Sequence, residues 1–195
     1  MASNSRIIVL ASGNPGKIRE LSALMQGLNI ELRPQSDFAV PEAEETGLTF
    51  VENAILKARN AAKYSKHPAI ADDSGIEIDH LNGAPGIYSA RYSGPNASEE
   101  DNNRKLLEDL AGVPEAQRTA RYWSSIVYMR HEFDPSPIIA EGVWEGRILT
   151  EPRGEGGFGY DPLFYLPEYD CTSAELKAAE KNRISHRGIA PVSYT

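Results

Sequence analysis

An apolar run followed at once by a tight turn and an amphipathic helix is the feature that most limits how this chain can fold. Residues 7–11 are continuously apolar, and apolar side chains recur at helical spacing over residues 18–28. Between them lies Ser12-Gly13-Asn14-Pro15-Gly16-Lys17. Asn14 suits the N-cap of a helix, and Pro15 suits its first position. The pattern predicts a strand–turn–helix unit, which favours an α/β fold.

Lys17 is expected in the first turn of that helix, where the helix dipole disfavours a cation. The glycines before it allow backbone N–H groups to approach a ligand closely. An anion bound between them would compensate the charge of the lysine and accept hydrogen bonds from the backbone N–H groups, which indicates phosphate chemistry. A solvated lysine on a capped helix is the alternative interpretation.

Composition excludes several classes of protein. The 195 residues suit one domain, and the net charge of −8 argues against a broad nucleic-acid surface. The lone cysteine, Cys171, rules out an intramolecular disulfide, fits a reducing compartment and has no evident activating base beside it. No apolar run is long enough to span a membrane, and the N-terminus lacks the apolar core of a signal peptide. We therefore expect a cytoplasmic protein.

The rest of the chain predicts one continuous fold over residues 1–195, with two lobes and a cleft between them. Helices are expected to begin after Thr49, Ser98 and Thr172, and Thr49 and Thr172 each have a glutamate three positions later, the pattern of a capping box. Further strands are expected near residues 30–32, 69–71, 76–79, 122–129 and 138–149. The glycine-rich residues 154–162 are expected to form a loop.

Asp72-Asp73-Ser74-Gly75 follows a short buried strand, which we expect it to terminate. Ligands of open α/β sheets bind at the carboxyl ends of strands. Adjacent aspartates on an extended chain point in different directions, so that one can bind Mg²⁺ while the other has another role. An acidic, solvated turn is the alternative. The acidic residues Glu42, Glu44 and Glu45 qualify as metal ligands only if their loop folds over the aspartates.

Other polar and aromatic residues have two interpretations each. Lys57 falls beside the apolar stripe of its helix, and a solvated face is the simpler interpretation. Lys181, His186 and Arg187 could bind a phosphate or carbonyl, or merely cap a helix. Phe158 could stack on a heterocyclic base or pack beneath its own loop. The neighbouring Tyr160 and Asp161 add a donor and an acceptor, although Asp161 could serve only the Asp-Pro turn.

Together these segments resemble the inosine triphosphate pyrophosphatase family, which acts on non-standard purine nucleoside triphosphates. The resemblance is carried by motifs in the family's order, from residue 7 to residue 188. They are Ser12–Lys17, Glu44-Glu-Thr-Gly-Leu-Thr-Phe-Val-Glu-Asn-Ala54, Ala71-Asp-Asp-Ser-Gly75, the Gly83–Gly94 segment, Gly156-Gly-Phe-Gly-Tyr-Asp-Pro162 and Ser185-His-Arg-Gly188.

The resemblance implies a homodimer whose α/β subunits have a long central mixed β-sheet flanked by helices. It implies cleavage of ITP, dITP or XTP between the α- and β-phosphates with Mg²⁺, giving the monophosphate and pyrophosphate. Asp73 would be the catalytic carboxylate and a metal ligand, and Glu44 the second metal ligand, with Glu45 as the neighbouring alternative. The substrate site would comprise Ser12, Gly13, Asn14, Pro15, Gly16, Lys17, Ser74, Phe158, Gly159, Tyr160, Asp161, Lys181, His186 and Arg187.

Two departures from the family pattern are visible. Ser12 stands where the family commonly has threonine, which keeps the hydroxyl. After Gly188 the family usually continues into a final helix, whereas Pro191 opposes a helix interior here. We expect the lack of that final helix to weaken packing or dimerisation.

Two other functions are weighed against this one. A Maf-like nucleotide pyrophosphatase of other base preference shares a related architecture, but it carries paired arginines in its N-terminal loop. A non-catalytic nucleotide sensor would not need Lys17 together with two adjacent aspartates.

Overall fold

The computed structural model describes residues 6–190. In that range the strands are β1 (Arg6–Leu10), β2 (Ile30–Pro34), β3 (Ala69–Ile78), β4 (Thr119–Met129), β5 (Ile138–Ile148), β6 (Phe164–Leu166) and β7 (Cys171–Thr172). The helices are α1 (Pro15–Leu24), α2 (Phe50–Ser65), α3 (Glu99–Asp109), α4 (Ala178–Ile184) and α5 (His186–Ile189). The described strands form one sheet in the order β2-β1-β3-β4-β5-β6-β7. It contains parallel and antiparallel pairs, which confirms the predicted α/β fold with a mixed sheet.

Strand β1 lies between two parallel neighbours. Arg6 is paired with Ile30 of β2, and Val9 is paired with Ala69 of β3. The chain leaves β1 through α1 towards β2 on one side, and β3 is on the other side. The carboxyl end of β1 is therefore a switch point of the sheet, the position at which open α/β sheets bind ligands.

Helices α1 and α2 are begun by the caps that the sequence predicts. The Asn14 side chain accepts hydrogen bonds from the N–H groups of Gly16 and Lys17, and Thr49 accepts one from Glu52. Helix α2 presents small buried side chains to the sheet, namely Ala54, Ala58, Ala61 and Ala62. Small residues at a packing surface let the backbones approach closely, so that side chains at the edge of this stripe come near the sheet.

The chain divides into two compact units. Among the described residues, unit 1 comprises residues 6–73, Ser124–Gly142 and residues 187–190, and unit 2 comprises Ser74–Trp123 and Val143–His186. Each unit has a hydrophobic core of its own, around Val9 and Leu10 in unit 1 and around Ile76 and Phe164 in unit 2. The predicted cleft between two lobes stays a prediction, and the expectation for Pro191 falls outside the described residues.

The predicted interruption of the third strand is wrong. Asp72, Asp73, Ser74 and Gly75 continue β3, which runs without a break for ten residues. A solvated acidic turn is also excluded, because Asp72 and Asp73 are 1% and 7% exposed. Nearby cations compensate the burial of these carboxylates, so a strand can pass through them.

The helix predicted to begin after Thr172 begins later. Thr172 and Glu175 do form the expected capping box, but it opens only a single 3₁₀ turn, Ser173–Glu175. Leu176 is extended, and the next helix, α4, starts at Ala178. The carbonyl of Ala174 accepts the Gly156 N–H, so this segment is bonded to the glycine-rich loop rather than to a following helical turn.

Membrane insertion through a helix has no support in residues 6–190, since none of their helices is both long and apolar enough to cross a bilayer.

Candidate functional site

Strand β3 directs its two aspartates to different partners in unit 1. Asp72 contacts Lys17, Arg187 and Ser124, whereas Asp73 contacts Lys57. Successive side chains of a strand point to opposite faces, which accounts for the division. The prediction that the two carboxylates have separate roles is consistent with this geometry.

Asp72 is the centre of a buried charge cluster. Its Oδ2 atom lies 3.0 Å from the Lys17 ammonium and 3.2 Å from the Arg187 Nε atom, and its Oδ1 atom accepts a 2.6 Å hydrogen bond from Ser124. Arg187 also donates to Glu20 on α1 at 2.8 Å. Burial would raise the pKa of Asp72, but Arg187, Lys17 and Ser124 outweigh it and hold that pKa well below its ordinary value.

Lys17 reaches this cluster because of where β1 ends. Leu10 is paired with Ile70, so Asp72 lies just past the carboxyl end of β1, beside the turn that leads into α1. Burial lowers the pKa of Lys17, although Asp72 opposes the effect. Lys17 is therefore a largely buried cation held at the switch point of the sheet, and its binding of phosphate stays a prediction.

The turn before α1 differs in one respect from the sequence interpretation. The N–H groups of Gly16 and Lys17 donate to the Asn14 side chain at 2.8 and 3.1 Å, and the Asn14 N–H donates to the Ser12 hydroxyl. These backbone N–H groups donate to the helix cap and are therefore not directed at a phosphate site in this structure. Gly13 is close to the loop of residues 41–47, which contains Glu42, Glu44 and Glu45 and is called the acidic loop below. A Cβ atom at Gly13 would lie 3.5 Å from Glu42 Oε1. That the segment from Ser12 to Lys17 binds substrate stays a prediction.

Lys57 joins Asp73 to the acidic loop. Its ammonium lies 2.5 Å from Asp73 Oδ1 and 3.1 Å from Glu45 Oε1. The Lys57 side chain is only 15% exposed, so the interpretation as a solvated lysine is wrong. It stands three residues after Ala54 and four before Ala61, on the buried side of α2. Burial would lower the pKa of Lys57, but Asp73 and Glu45 raise it.

The burial of Asp73 has chemical consequences. It raises the pKa of the Asp73 carboxyl, against the opposing effect of Lys57. A carboxylate of raised pKa is a better proton acceptor than an exposed one. Ser74, the next residue, is half-buried in the same strand.

The acidic loop is fastened to α2 by hydrogen bonds at both ends. The Gly47 N–H donates to the Asn53 side chain, and Asn60 donates to the carbonyl of Pro41. A Cβ atom at Gly47 would lie 2.6 Å from the Cβ of Glu52, so only glycine fits this close approach. The loop therefore brings the Glu45 carboxylate into contact with the Lys57 ammonium, although Glu44 and Glu45 are both exposed residues.

The donor set around Asp73 suits magnesium. Mg²⁺ in enzymes is commonly held by one or two carboxylates, with water and substrate phosphates completing six ligands. Asp73 and Glu45 supply two carboxylates that already converge on one cationic atom. No group of three or more potential ligands occurs among residues 6–190.

In unit 2, Asp161 organises the glycine-rich loop. Its carboxylate accepts hydrogen bonds from the Phe158 N–H at 2.8 Å, the Ser173 hydroxyl at 2.8 Å and the Lys181 ammonium at 2.6 Å. The same ammonium lies 4.9 Å from the centre of the Phe158 ring. Phe158, Asp161 and Lys181 are therefore brought together, and Lys181 covers one side of the aromatic ring.

Other predicted substrate residues of unit 2 are used inside the unit. The Tyr160 hydroxyl donates to the Ser89 carbonyl, and the Ser89 hydroxyl accepts the Ile76 N–H of β3. The carbonyl of Gly159 accepts a hydrogen bond from Asn103 of α3. His186 is buried with its ring stacked on Tyr122 at 4.8 Å. Direct contact of Gly159, Tyr160 and His186 with substrate stays a prediction.

The chain has the sequence pattern of a known family over nearly its whole length. A profile of the Ham1 family matches residues 8–193. The chain belongs to the Ham1 family. This decides against the Maf-like alternative. The family resemblance stated from the motifs is confirmed.

Relatives and solved structures of this family are close to the chain. A dITP/XTP pyrophosphatase of Thioalkalivibrio sulfidiphilus is 66% identical over 94% of the chain and 93% of its own length. Another, from Vibrio parahaemolyticus, is 60% identical over 94% and 92%. A HAM1 protein of Coxiella burnetii has a similar structure, with a TM-score of 0.89 and 51% identity over 97% of this chain and 96% of that one.

Sequence patterns missed several residues that the structure places in the Asp72 and Asp73 clusters. Glu20 and Ser124 carry no local signal, because each is one polar residue among many in a helix or strand. The burial of Lys57 does have a sequence signal. Alanines stand three positions before it and four positions after it, which places this lysine on the inner face of its helix.

Proposed function

We infer that this protein hydrolyses non-standard purine nucleoside triphosphates (ITP, dITP and XTP) to the nucleoside monophosphate and pyrophosphate. The observation that carries the inference is the pairing of Lys17 and Lys57 with the adjacent carboxylates of Asp72 and Asp73. This arrangement offers two cations to phosphates and a carboxylate of raised pKa to water. The relatives that carry the name dITP/XTP pyrophosphatase support the same function.

The phosphate end of the substrate is assigned to unit 1. Lys17 and Lys57 bind phosphate oxygens and neutralise their charge, which an acidic protein would otherwise repel. Asp73 accepts a proton from the attacking water, whose oxygen bonds to the α-phosphorus. The bond from that phosphorus to the bridging oxygen breaks, and pyrophosphate leaves.

Magnesium is proposed as the cofactor, held by Asp73 and Glu45. When bound there, it supplies positive charge that stabilises the phosphates and the departing pyrophosphate. Glu45 replaces Glu44 in this proposal because Glu45 shares the Lys57 ammonium with Asp73.

Phe158 is proposed to contact the base of the nucleotide. Lys181 packs against the Phe158 ring, and this aromatic ring is proposed as the surface on which the purine stacks. A hydrogen-bond donor that faces position 6 of the purine favours the O6 acceptor of hypoxanthine and xanthine. The 6-amino group of adenine would face a donor, a mismatch that costs about 1–3 kcal/mol.

Pyrophosphate release from ITP, XTP, ATP and GTP, measured with and without Mg²⁺, tests the function. We expect turnover of ITP and XTP with Mg²⁺ and a kcat/KM for ATP that is lower by about tenfold to a hundredfold, the ratio that one such mismatch gives. Binding of ITP without pyrophosphate release would instead identify a nucleotide sensor. A cytoplasmic homodimer is also proposed, and sedimentation of the full chain would test the dimer.

A further inference from the structure

The Lys57 ammonium lies between two carboxylates from different parts of unit 1. It is 2.5 Å from Asp73 Oδ1 on β3 and 3.1 Å from Glu45 Oε1 in the loop before α2. The side chains of Lys57, Asp73 and Glu45 are 15%, 10% and 29% exposed, so water solvates them only in part. Such close, partly dehydrated contacts make one cation an integral part of this site.

The two carboxylates need a cation between them. Each raises the energy of the other when both are ionised, and partial burial strengthens that repulsion. A divalent cation bound by the same oxygens would meet the same need. The ammonium and a metal ion compete for Asp73 Oδ1 and Glu45 Oε1, because the ammonium already lies within bonding distance of both atoms.

We propose that Lys57 is an internal counter-ion that blocks the divalent-cation site until a nucleotide binds. The ammonium leaves Asp73 and Glu45 when a triphosphate offers it phosphate oxygens, and those carboxylates then become available to a divalent cation. Binding of the nucleotide and of the metal is therefore positively coupled, and each strengthens the other by the same factor. The proposal rests on the proposed function for the identity of the nucleotide, but not for the competition at the carboxylates.

Calorimetric titration of the full-length, nucleotide-free protein with Mn²⁺ tests the competition. We expect Lys57→Met to bind Mn²⁺ about tenfold more tightly than the wild type, a usual size for coupled sites. Lys57→Arg keeps the charge and should bind Mn²⁺ as weakly as the wild type. Lys63→Met removes an exposed lysine of the same helix and should change the affinity by less than about twofold.

A second control separates direct blocking from the field of any nearby cation. Lys17 also acts electrostatically on Asp73, but its ammonium contacts Asp72. We expect Lys17→Met to tighten Mn²⁺ binding by no more than about threefold, because no contact with Asp73 or Glu45 is removed. Equal effects of Lys17→Met and Lys57→Met, or no effect of Lys57→Met, would overturn the proposal.

The coupling has its own measurement. The α,β-methylene analogue of ITP, which cannot be cleaved between those phosphates, should increase the Mn²⁺ affinity of the wild type more than that of Lys57→Met.

Thermal unfolding gives a readout that does not depend on nucleotide: Mg²⁺ should raise the Tm of Lys57→Met more than that of the wild type. If ITP is not hydrolysed and these shifts still occur, the proposed function fails while the role of Lys57 stands. If ITP is hydrolysed and the shifts are absent, the proposed function stands while the role of Lys57 fails.

Discussion

The ammonium of Lys17 lies 3.0 Å from the carboxylate of Asp72, a residue 55 positions later in the chain. The contact joins the first turn of α1 to strand β3 at the carboxyl end of β1. It explains why a lysine is tolerated at the positive end of a helix, since a buried carboxylate compensates the unfavourable dipole.

Replacing this carboxylate should destabilise the fold in a pH-dependent way. Asp72→Asn leaves Arg187 and Lys17 without their shared partner, and breaking a buried ion pair costs about 3–5 kcal/mol. Since the folded pKa of Asp72 lies below its unfolded value of about 3.9, its stabilisation is complete above that pH and decreases as pH falls further. Urea unfolding at pH 7 and pH 3 should therefore show a smaller difference between wild type and variant at pH 3.

Asp37→Asn is the matched control. Asp37 forms an exposed ion pair with Arg33, and both side chains are 37% exposed. Its loss should change the free energy of unfolding by less than about 1 kcal/mol. A pH-independent difference for Asp72→Asn would contradict the assignment of a depressed pKa.

Asp73→Asn should abolish most of the turnover while leaving the protein folded. Loss of a general base commonly lowers kcat by about 10²–10⁴-fold. The fold should persist because Lys57 keeps Glu45 as a partner. Pyrophosphate release from ITP and far-ultraviolet circular dichroism measure the two effects. Activity close to that of the wild type would refute the role of Asp73.

The two adjacent glutamates of the acidic loop should behave differently. Glu45→Gln should raise the Mg²⁺ concentration that gives half-maximal ITP hydrolysis by about tenfold or more, because a metal-binding oxygen loses its charge. Glu44→Gln, one position away, should leave this concentration nearly unchanged, because it is Glu45 that contacts Lys57 beside Asp73. If Glu44→Gln has the larger effect, the metal ligand is Glu44, as the motif resemblance implied.

The ion pair that holds the Phe158 loop should contribute far more than an exposed pair. Lys181 and Asp161 are 2.6 Å apart, with side chains 7% and 3% exposed, whereas Arg153 and Glu175 are 3.2 Å apart with 42% and 31%. Lys181→Met leaves Asp161 as a buried, uncompensated charge and should lower the free energy of unfolding by about 3–5 kcal/mol.

Arg153→Met is the comparison for that variant, and it should lower the same quantity by less than about 1 kcal/mol. Chemical denaturation of both variants decides the matter. Adding Asp161→Asn to Lys181→Met should restore part of the loss, because the unpaired charge is removed. Equal losses for the two single variants would show that the buried pair has no special role.

Local sequence predicted the elements that depend on neighbouring residues. The Asn14 cap of α1 and the Ser98 cap of α3 were both predicted, since each uses hydrogen bonds between residues two or three apart. The strand before Asn14 was predicted from its continuous apolar run. Fold class and family followed from such elements and from the order of the motifs. The start of α4 was predicted wrongly because Ala174 bonds to a distant loop instead of continuing its own turn.

Which charges meet was decided by tertiary structure alone. Adjacent aspartates suggest a solvated turn when only their neighbours are considered, yet Asp72 pairs with Arg187, 115 residues away, and Asp73 pairs with Lys57, 16 residues away. Glu45, and not Glu44, reaches Lys57 because its loop is fastened to α2. The sequence by itself determined the strand–turn–helix unit and the residues able to bind a phosphate. The tertiary structure chose their partners, because a carboxylate can be buried only where folding brings a compensating cation within contact distance.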